Sequence, residues 1–460
     1  MSASVGRAVP PAAWPAWLLI GLIVALISTA SYPGFMSFDS IEALRQARGA
    51  VEGSQYPPFG SYVWRVFDWV WPGPTLMQLV QNTMLFGALT AILQALAWRV
   101  WMQACCLLIC ALAPPILGTM VVVWKDVAVA AFFLAGFAAF FRARQARENE
   151  PARRWGIPAG FLLVFCGMAY RFNAASGALP LLVYGIWVAQ PHGASAATNW
   201  RRAWLGGVAG VLVLFSLVWF VNTHRFPSLE RLERNTNMDS IMRFDLIGLS
   251  TFAGRSFVLG RDGAPVDLEY LRKIYDARHL NLTSLHDSEG RVEGNVPQLS
   301  SIWLHALAEH PQAYLQHRLA VFREYIGWHG REAFYITHPS LDANPWNLTH
   351  TPNALTRELV PYLWNFRLGP LDKPWIYYGV ALTGLLLMFV LRVRRYRAEA
   401  TIVLASGMLY LAPMFLITPA WDLRYNFWSI WGAIVSLCFV ATGFVLAALR
   451  RAGNRPVAAT

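Results

Sequence analysis

Charge is what this sequence has least of. Only 14% of its 460 residues are Asp, Glu, Lys or Arg, where a soluble domain carries about 25%. A chain so poor in charge and 56% hydrophobic is not built to present most of its surface to water, and its mean hydropathy of +0.38 agrees. Cysteine is scarce too. Cys105, Cys106, Cys110, Cys166 and Cys438 all fall inside apolar runs, so they read as small core hydrophobes rather than disulfides or zinc ligands. The absence of an internal repeat or low-complexity tract weighs against a transporter built from inverted repeats. No nucleotide-sugar site is visible either.

Long apolar runs are what the sequence has in quantity. Runs compatible with the roughly 17–25 residues of a membrane span occur near 14–31, 76–97, 102–122, 127–142, 156–170, 174–190, 204–221, 374–391, 399–418 and 427–449. The first has a basic start and ends ISTAS, yet it continues a consistent count and is read as a span rather than a cleaved leader. The expected fold class is therefore an all-α membrane bundle of about ten helices with a mostly helical outer domain.

A formal charge of +12 and a pI of 9.7 would suit nucleic acid, but the distribution excludes it. Sixteen Lys and Arg lie in the loops of one face, and six lie in the short loops of the other: Arg45, Arg48, Arg65, Lys125, Arg171 and Arg424. The remaining sixteen belong to 222–373, where seventeen acids oppose them. By the positive-inside rule both termini are cytoplasmic and 222–373 is extracytoplasmic. The chain then divides into seven spans (1–221) with an outer loop at 32–75, an outer domain (222–373), and three closing spans (374–460). The outer loop is expected to carry interfacial helices near 40–48 and 60–70, and segment 300–328 a helix broken at Pro311.

Outside the long domain there are nine acids. Glu148, Glu150 and Glu399 are cytoplasmic, while Asp39, Glu42, Glu52, Asp68, Asp126 and Asp422 gather at the outer rim. Three hairpins bring basic residues to the same rim, in WKD (124–126), YRFN (170–173) and WDLRYN (421–426). One reading is interfacial anchoring, with Lys125 pairing Asp126 and Arg424 pairing Asp422. The other is a site for an amphiphile, its tail in the bundle and its phosphate at the rim. Cations would hold that phosphate, and a carboxylate would deprotonate a hydroxyl nucleophile.

The motifs YPGFMSFDS (32–40), YPPFGSYVW (56–64), VVWKDV (122–127), YRFNA (170–174) and DLRYNFW (422–428), set in this layout, resemble those of the GT-C membrane glycosyltransferases. The arrangement is most similar to bacterial members of the lipid-modifying and protein O-mannosyl types. The resemblance implies a polyprenyl-phosphate-linked sugar donor, membrane lipid around it, and an extracytoplasmic acceptor that is a lipid, polysaccharide or protein. It implies Asp39 as the base that activates the acceptor hydroxyl. Lys125, Asp126, Arg171, Asn173, Asp422, Arg424, Tyr56 and Glu42 become candidate substrate contacts. Many members show paired acids, whereas here Asp39 stands alone with Glu42 one helical turn on, so no metal is assigned. Tyr56-Pro57-Pro58 replaces the His-Pro found in the first loop of some members.

Asp39 also has a purely structural reading, as N-cap of a helix starting near Ile41. Two rival functions draw on other residues. An O-antigen ligase or polymerase type would use Arg318, Arg323 and His338, and a lipid or sugar flippase would place ionisable groups near mid-membrane. His317 is read as a packing residue.

Overall fold

The computed structural model describes residues 14–49, 57–171, 173–190, 196–224, 237–260, 263–292, 298–328, 336–367, 369–419 and 421–453. Every apolar run becomes helix. In chain order these are α1 (Trp14–Ala30), α4 (Thr75–Ala95), α5 (Val100–Leu112) with α6 (Pro114–Met120), α7 (Lys125–Gln145), α8 (Pro151–Tyr170), α9 (Ala174–Ala189), α10 (Ala196–His224), α17 (Pro374–Val390), α18 (Arg397–Leu411) with α19 (Met414–Ile417), and α20 (Phe427–Gly453). Between the first two lie α2 (Phe38–Ala47) and α3 (Pro58–Val70), at the positions expected for the outer-loop helices.

Five of the described helices are long and apolar enough to cross a membrane, and three shorter apolar ones, α1, α9 and α17, have 16 or 17 residues. The run at 102–122 is not one straight span. It bends by 70° between α5 and α6. Ala113 precedes Pro114 and is driven out of the helical region, to ψ 121, and Pro114-Pro115 contribute no N–H to continue the ladder. Apolar side chains cover the outside as well as the core: Leu205, Leu212, Val213 and Trp219 of α10 and Leu18 and Leu22 of α1 are exposed, as suits a lipid-facing surface.

The outer helices are α11 (Asn237–Ala253), α12 (Leu268–Ile274), α13 (Leu280–His286), α14 (Leu299–Glu309), α15 (Pro311–Tyr325) and α16 (Ala354–Phe366). The expected break at Pro311 separates α14 from α15. Residues from α11 to α15 close a second core around Leu246, Leu249, Leu271 and Ile274. Among the described residues the only β-structure is isolated bridges. α16 leaves this core and lies on the bundle, where Asn353 Nδ2 and Thr356 Oγ1 donate to the terminal carbonyls of α1 (Thr29 and Ala30, both 2.6 Å) and Tyr362 donates to Leu112 O of α5. Carbonyls left open at helix ends are thereby satisfied.

What positions the first outer loop is a three-ply backbone layer. Phe35 N–H donates to Val121 O and Val123 N–H to Phe35 O, while on the other side Met36 N–H donates to Ser340 O and Asp342 N–H to Met36 O. Gln78, buried on α4, donates to Val121 O at 2.7 Å and Met120 O at 3.2 Å, locking the turn that leads into α7. Arg48 then ties α2 to α3 through a two-armed contact with Asp68 (2.8 and 2.7 Å) and lies 4.5 Å over the Trp346 ring. Burial raises the Asp68 carboxyl, but Arg48 and the Gly73 N–H outweigh it and hold the group below the usual carboxylate range. Arg48→Ala is expected to cost about 2 kcal/mol, the worth of a charge-assisted pair of hydrogen bonds, read as a lower Tm of the detergent-solubilised protein. Because Asp68 is lowered in the folded state, the stability it supplies is present above its unfolded pKa and lost in acid. The variant's pH profile below pH ~4 should therefore be flatter than wild type.

Candidate active site

Asp39 stands in the first turn of α2, and the N-cap is Ser37, not Asp39. The capping expectation is corrected accordingly: with Phe38 already helical, the Asp39 side chain is free of the cap role and its charge sits favourably at the helix N-terminus. Its Oδ2 takes Arg424 Nη1 at 2.5 Å, and 28% of the side chain remains accessible. The turn around it is held by neighbours, since Ser40 Oγ donates to Val123 O at 2.7 Å and Trp124 Nε1 to Ser37 Oγ at 2.8 Å.

Lys125 and Asp126 open α7, but they do not pair with each other. Adjacent helix positions point about 100° apart. Asp126 is buried and forms an ion pair with Arg171 at the end of α8, while Lys125 faces a cavity. Arg171 Nη1 also reaches Tyr410 Oη at 3.4 Å, and the guanidinium lies 5.0 Å over the Tyr425 ring. Asn173, just before α9, donates from Nδ2 to Met414 Sδ at 3.3 Å.

Asp422 and Arg424 pair as their spacing suggests, Nε to Oδ2 at 2.6 Å. The structure adds a second carboxylate: Arg424 bridges Asp422 to Asp39, its guanidinium lying over Trp124 at 4.9 Å and Tyr425 at 5.0 Å. Aromatic faces on a guanidinium fix its plane and leave its edge for hydrogen bonds.

Asp39, Lys125, Arg171 and Asn173 thus line one cavity of about 470 Å³ together with Tyr425, Met414 and Ser240. Its floor comes from the bundle and its roof from α11 and α13. Asp126, Asp422 and Arg424 stand behind this lining as ion-pair partners. Glu42 pairs with Arg45 at 3.0 Å and is not among the lining residues, and Tyr56 lies outside the described residues. Among the described residues, no group of three or more His, Cys, Asp or Glu is placed to hold a metal ion.

The residues named for the ligase reading do not gather. Arg318 is fully buried, in an ion pair with Asp245 at 2.6 Å and donating to Thr418 O at 3.0 Å; Arg323 is exposed; His338 contacts Asp342 at 2.9 Å. His317 packs inside the same buried network, 3.0 Å from Asp245 and 2.9 Å from Tyr275 Oη.

Sequence reasoning missed His279. Backbone bonds from Leu280 N–H to Pro419 O (2.8 Å) and Trp421 N–H to Arg278 O (2.7 Å) zip its loop onto the segment that carries Arg424. No local pattern pairs 278–280 with 419–421, so nothing short of the fold could have found it. His279 Nδ1 accepts from Asn281 N–H at 2.8 Å, and burial, then the nearby Arg424 charge, push the ring down to about 4. A histidine lowered from 6.5 on folding contributes stability that is present above pH 6.5 and lost as the pH falls towards 4. The loss amounts to about 3 kcal/mol at most. The Tm should drop across that window, and His279→Asn should flatten the drop.

No protein-family model matches the chain, and no curated protein does. Among solved structures, the chain is similar to ArnT from Cupriavidus metallidurans in two crystal structures. With the structure bound to undecaprenyl phosphate it shares 15% identity at a TM-score of 0.33, and with the apo structure 16% at 0.34. Each alignment covers 94% of this chain and 77% of ArnT.

Proposed function

We propose that the protein is a membrane glycosyltransferase of the GT-C type, moving a sugar from a polyprenyl-phosphate donor to an extracytoplasmic acceptor. The observation that carries this reading is the convergence of Asp39, Lys125 and Arg171, from three separate segments, on one cavity where the bundle meets the outer helices. In this reading the ten apolar runs span the membrane with both termini cytoplasmic, so the cavity opens on the outer side.

The lipid phosphate lies against Lys125 and Arg171, and the polyprenyl chain runs into the bilayer. Asp39 takes the proton of the acceptor hydroxyl, the acceptor oxygen bonds to the anomeric carbon, and the bond from that carbon to the phosphate oxygen breaks. Polyprenyl phosphate leaves with the electron pair. Negative charge grows on the phosphate as that bond lengthens, so Lys125 and Arg171, the latter fixed by Asp126 and the tyrosines, bind the transition state better than the donor. Arg424 keeps Asp39 aimed at the cavity rather than at the bundle. The test is transfer of label from a polyprenyl-phosphate sugar in membranes containing the protein, against membranes lacking it. Label remaining on the lipid in both would sink the reading.

A further inference from the structure

A separate cavity of about 390 Å³ shares no lining residue with the one that holds Asp39. Its walls come from α1, α5, α6 and α16. Ile27, Ala111 and Leu117 are buried within it, whereas Leu26, Leu108 and Leu112 are exposed, so it is a groove open on the apolar outside of the bundle. Leu355, Glu358, Leu359 and Tyr362, spaced by three and four, complete the lining from one face of α16. Among the described lining residues Glu358 is the one charged group, and the Tyr362 hydroxyl is committed to Leu112 O at 2.5 Å. Glu358 is exposed, and its carboxylate takes no ion pair among the described residues. The depth of that carboxylate is set by the docking of α16. Asn353 and Thr356 donate to the terminal carbonyls of α1, and Tyr362, later in the helix, to the end of α5. Where the apolar runs span the membrane, those are the outer ends of both helices, so α16 lies along the outer interface with the groove beneath it.

We propose that this groove holds one acyl chain of a phospholipid with an ethanolamine headgroup, its ammonium on Glu358. The proposal rests on the apolar runs spanning the membrane and uses no part of the glycosyltransferase reading. A groove open on the acyl region is filled by what surrounds it, so the selection lies in the headgroup. A carboxylate at the groove's rim repels the net negative charge of a glycerol headgroup and accepts hydrogen bonds from an ammonium, which brings three N–H donors. A choline carries the same charge and no N–H. Arg357, the next residue of α16, is also exposed and takes no ion pair among the described residues. Adjacent helix positions point about 100° apart, which keeps Arg357 and Glu358 from neutralising each other. A base and an acid thus stand side by side, as the phosphate and the ammonium do in an ethanolamine lipid. A chain seated under α16 packs that helix onto α1 and α5, so the bound lipid stabilises the joint.

The experiment offers the detergent-solubilised full chain an equimolar mixture of palmitoyl-oleoyl phosphatidylethanolamine, phosphatidylcholine and phosphatidylglycerol, and reads the retained lipid by native mass spectrometry. Wild type should retain the ethanolamine lipid about fivefold over the glycerol lipid, equivalent to about 1 kcal/mol. Its Tm should rise most with the ethanolamine lipid when each is added alone. Glu358→Gln changes an exposed position, so its Tm without lipid should match wild type, and it should retain the three lipids alike. Leu108→Trp fills the groove from its exposed side and should lower retention of the ethanolamine lipid. Equal retention of the three by wild type overturns the proposal. So does an ethanolamine preference that survives Glu358→Gln, or retention indifferent to Leu108→Trp.

Discussion

Asp39→Asn abolishes sugar transfer: kcat falls by about 10²–10⁴, the usual contribution of a positioned general base, while expression and Tm stay near wild type. Asn is the informative replacement because it keeps the shape of the side chain and an oxygen for Arg424 Nη1, now 2.5 Å from Asp39 Oδ2. What it removes is the ability to take a proton and the negative charge. The α2 turn should survive, since it is held by Ser40 to Val123 O and by the bridge from Phe35 to Val122, neither of which involves the Asp39 side chain. Donor binding should survive too, because Lys125 and Arg171 are untouched, so KM for the lipid-linked sugar changes little while kcat collapses. Transfer at the wild-type rate would demote Asp39 to a first-turn charge that anchors Arg424. The base would then have to be sought elsewhere on the cavity wall.

Much of this layout could be read from residues one after another. Each apolar run is helical, the 32–75 loop carries its two helices near the expected places, and α15 sets Arg318 and Tyr325 against the segment of Thr418 and Tyr425 while His317 packs on α11. These features follow local periodicity, which needs no partner to be visible. What periodicity does not carry is pairing across the chain. Lys125 and Asp126 look like partners because they are neighbours, but a helix turns them apart, and Asp126 finds Arg171 instead. Asp39 and Arg424 come from opposite ends of the sequence, and only the backbone layer of 35–36, 121–123 and 340–342 brings Asp39 to that rim. The return of α16 to α1 and α5 was hidden for the same reason. Its capping box at Asn353 is a local signal, whereas its docking uses Asn353, Thr356 and Tyr362 on carbonyls more than two hundred residues away.

The other large effect is expected at Arg424, and it separates architecture from chemistry. Arg424→Met removes the cation that sits between Asp39 and Asp422. Breaking a buried ion pair from one side costs about 3–5 kcal/mol, chiefly because the remaining charge is stranded. Here the buried Asp422 is stranded, so Tm should fall by more than in Arg48→Ala, and transfer should fall at least a hundredfold, or about 2.7 kcal/mol of barrier. A second substitution, Asp422→Asn on the Arg424→Met background, removes the stranded charge and should recover part of the lost Tm. If Arg424 serves only to hold the fold, transfer returns in step with stability. If it aims Asp39, transfer stays low, because nothing in the double variant replaces the 2.5 Å contact that points the carboxylate into the cavity. Arg424→Lys sharpens the distinction: an ammonium keeps the charge but lacks the planar fork that meets Asp39 through Nη1 and Asp422 through Nε at once. It should therefore retain most of the stability and little of the rate.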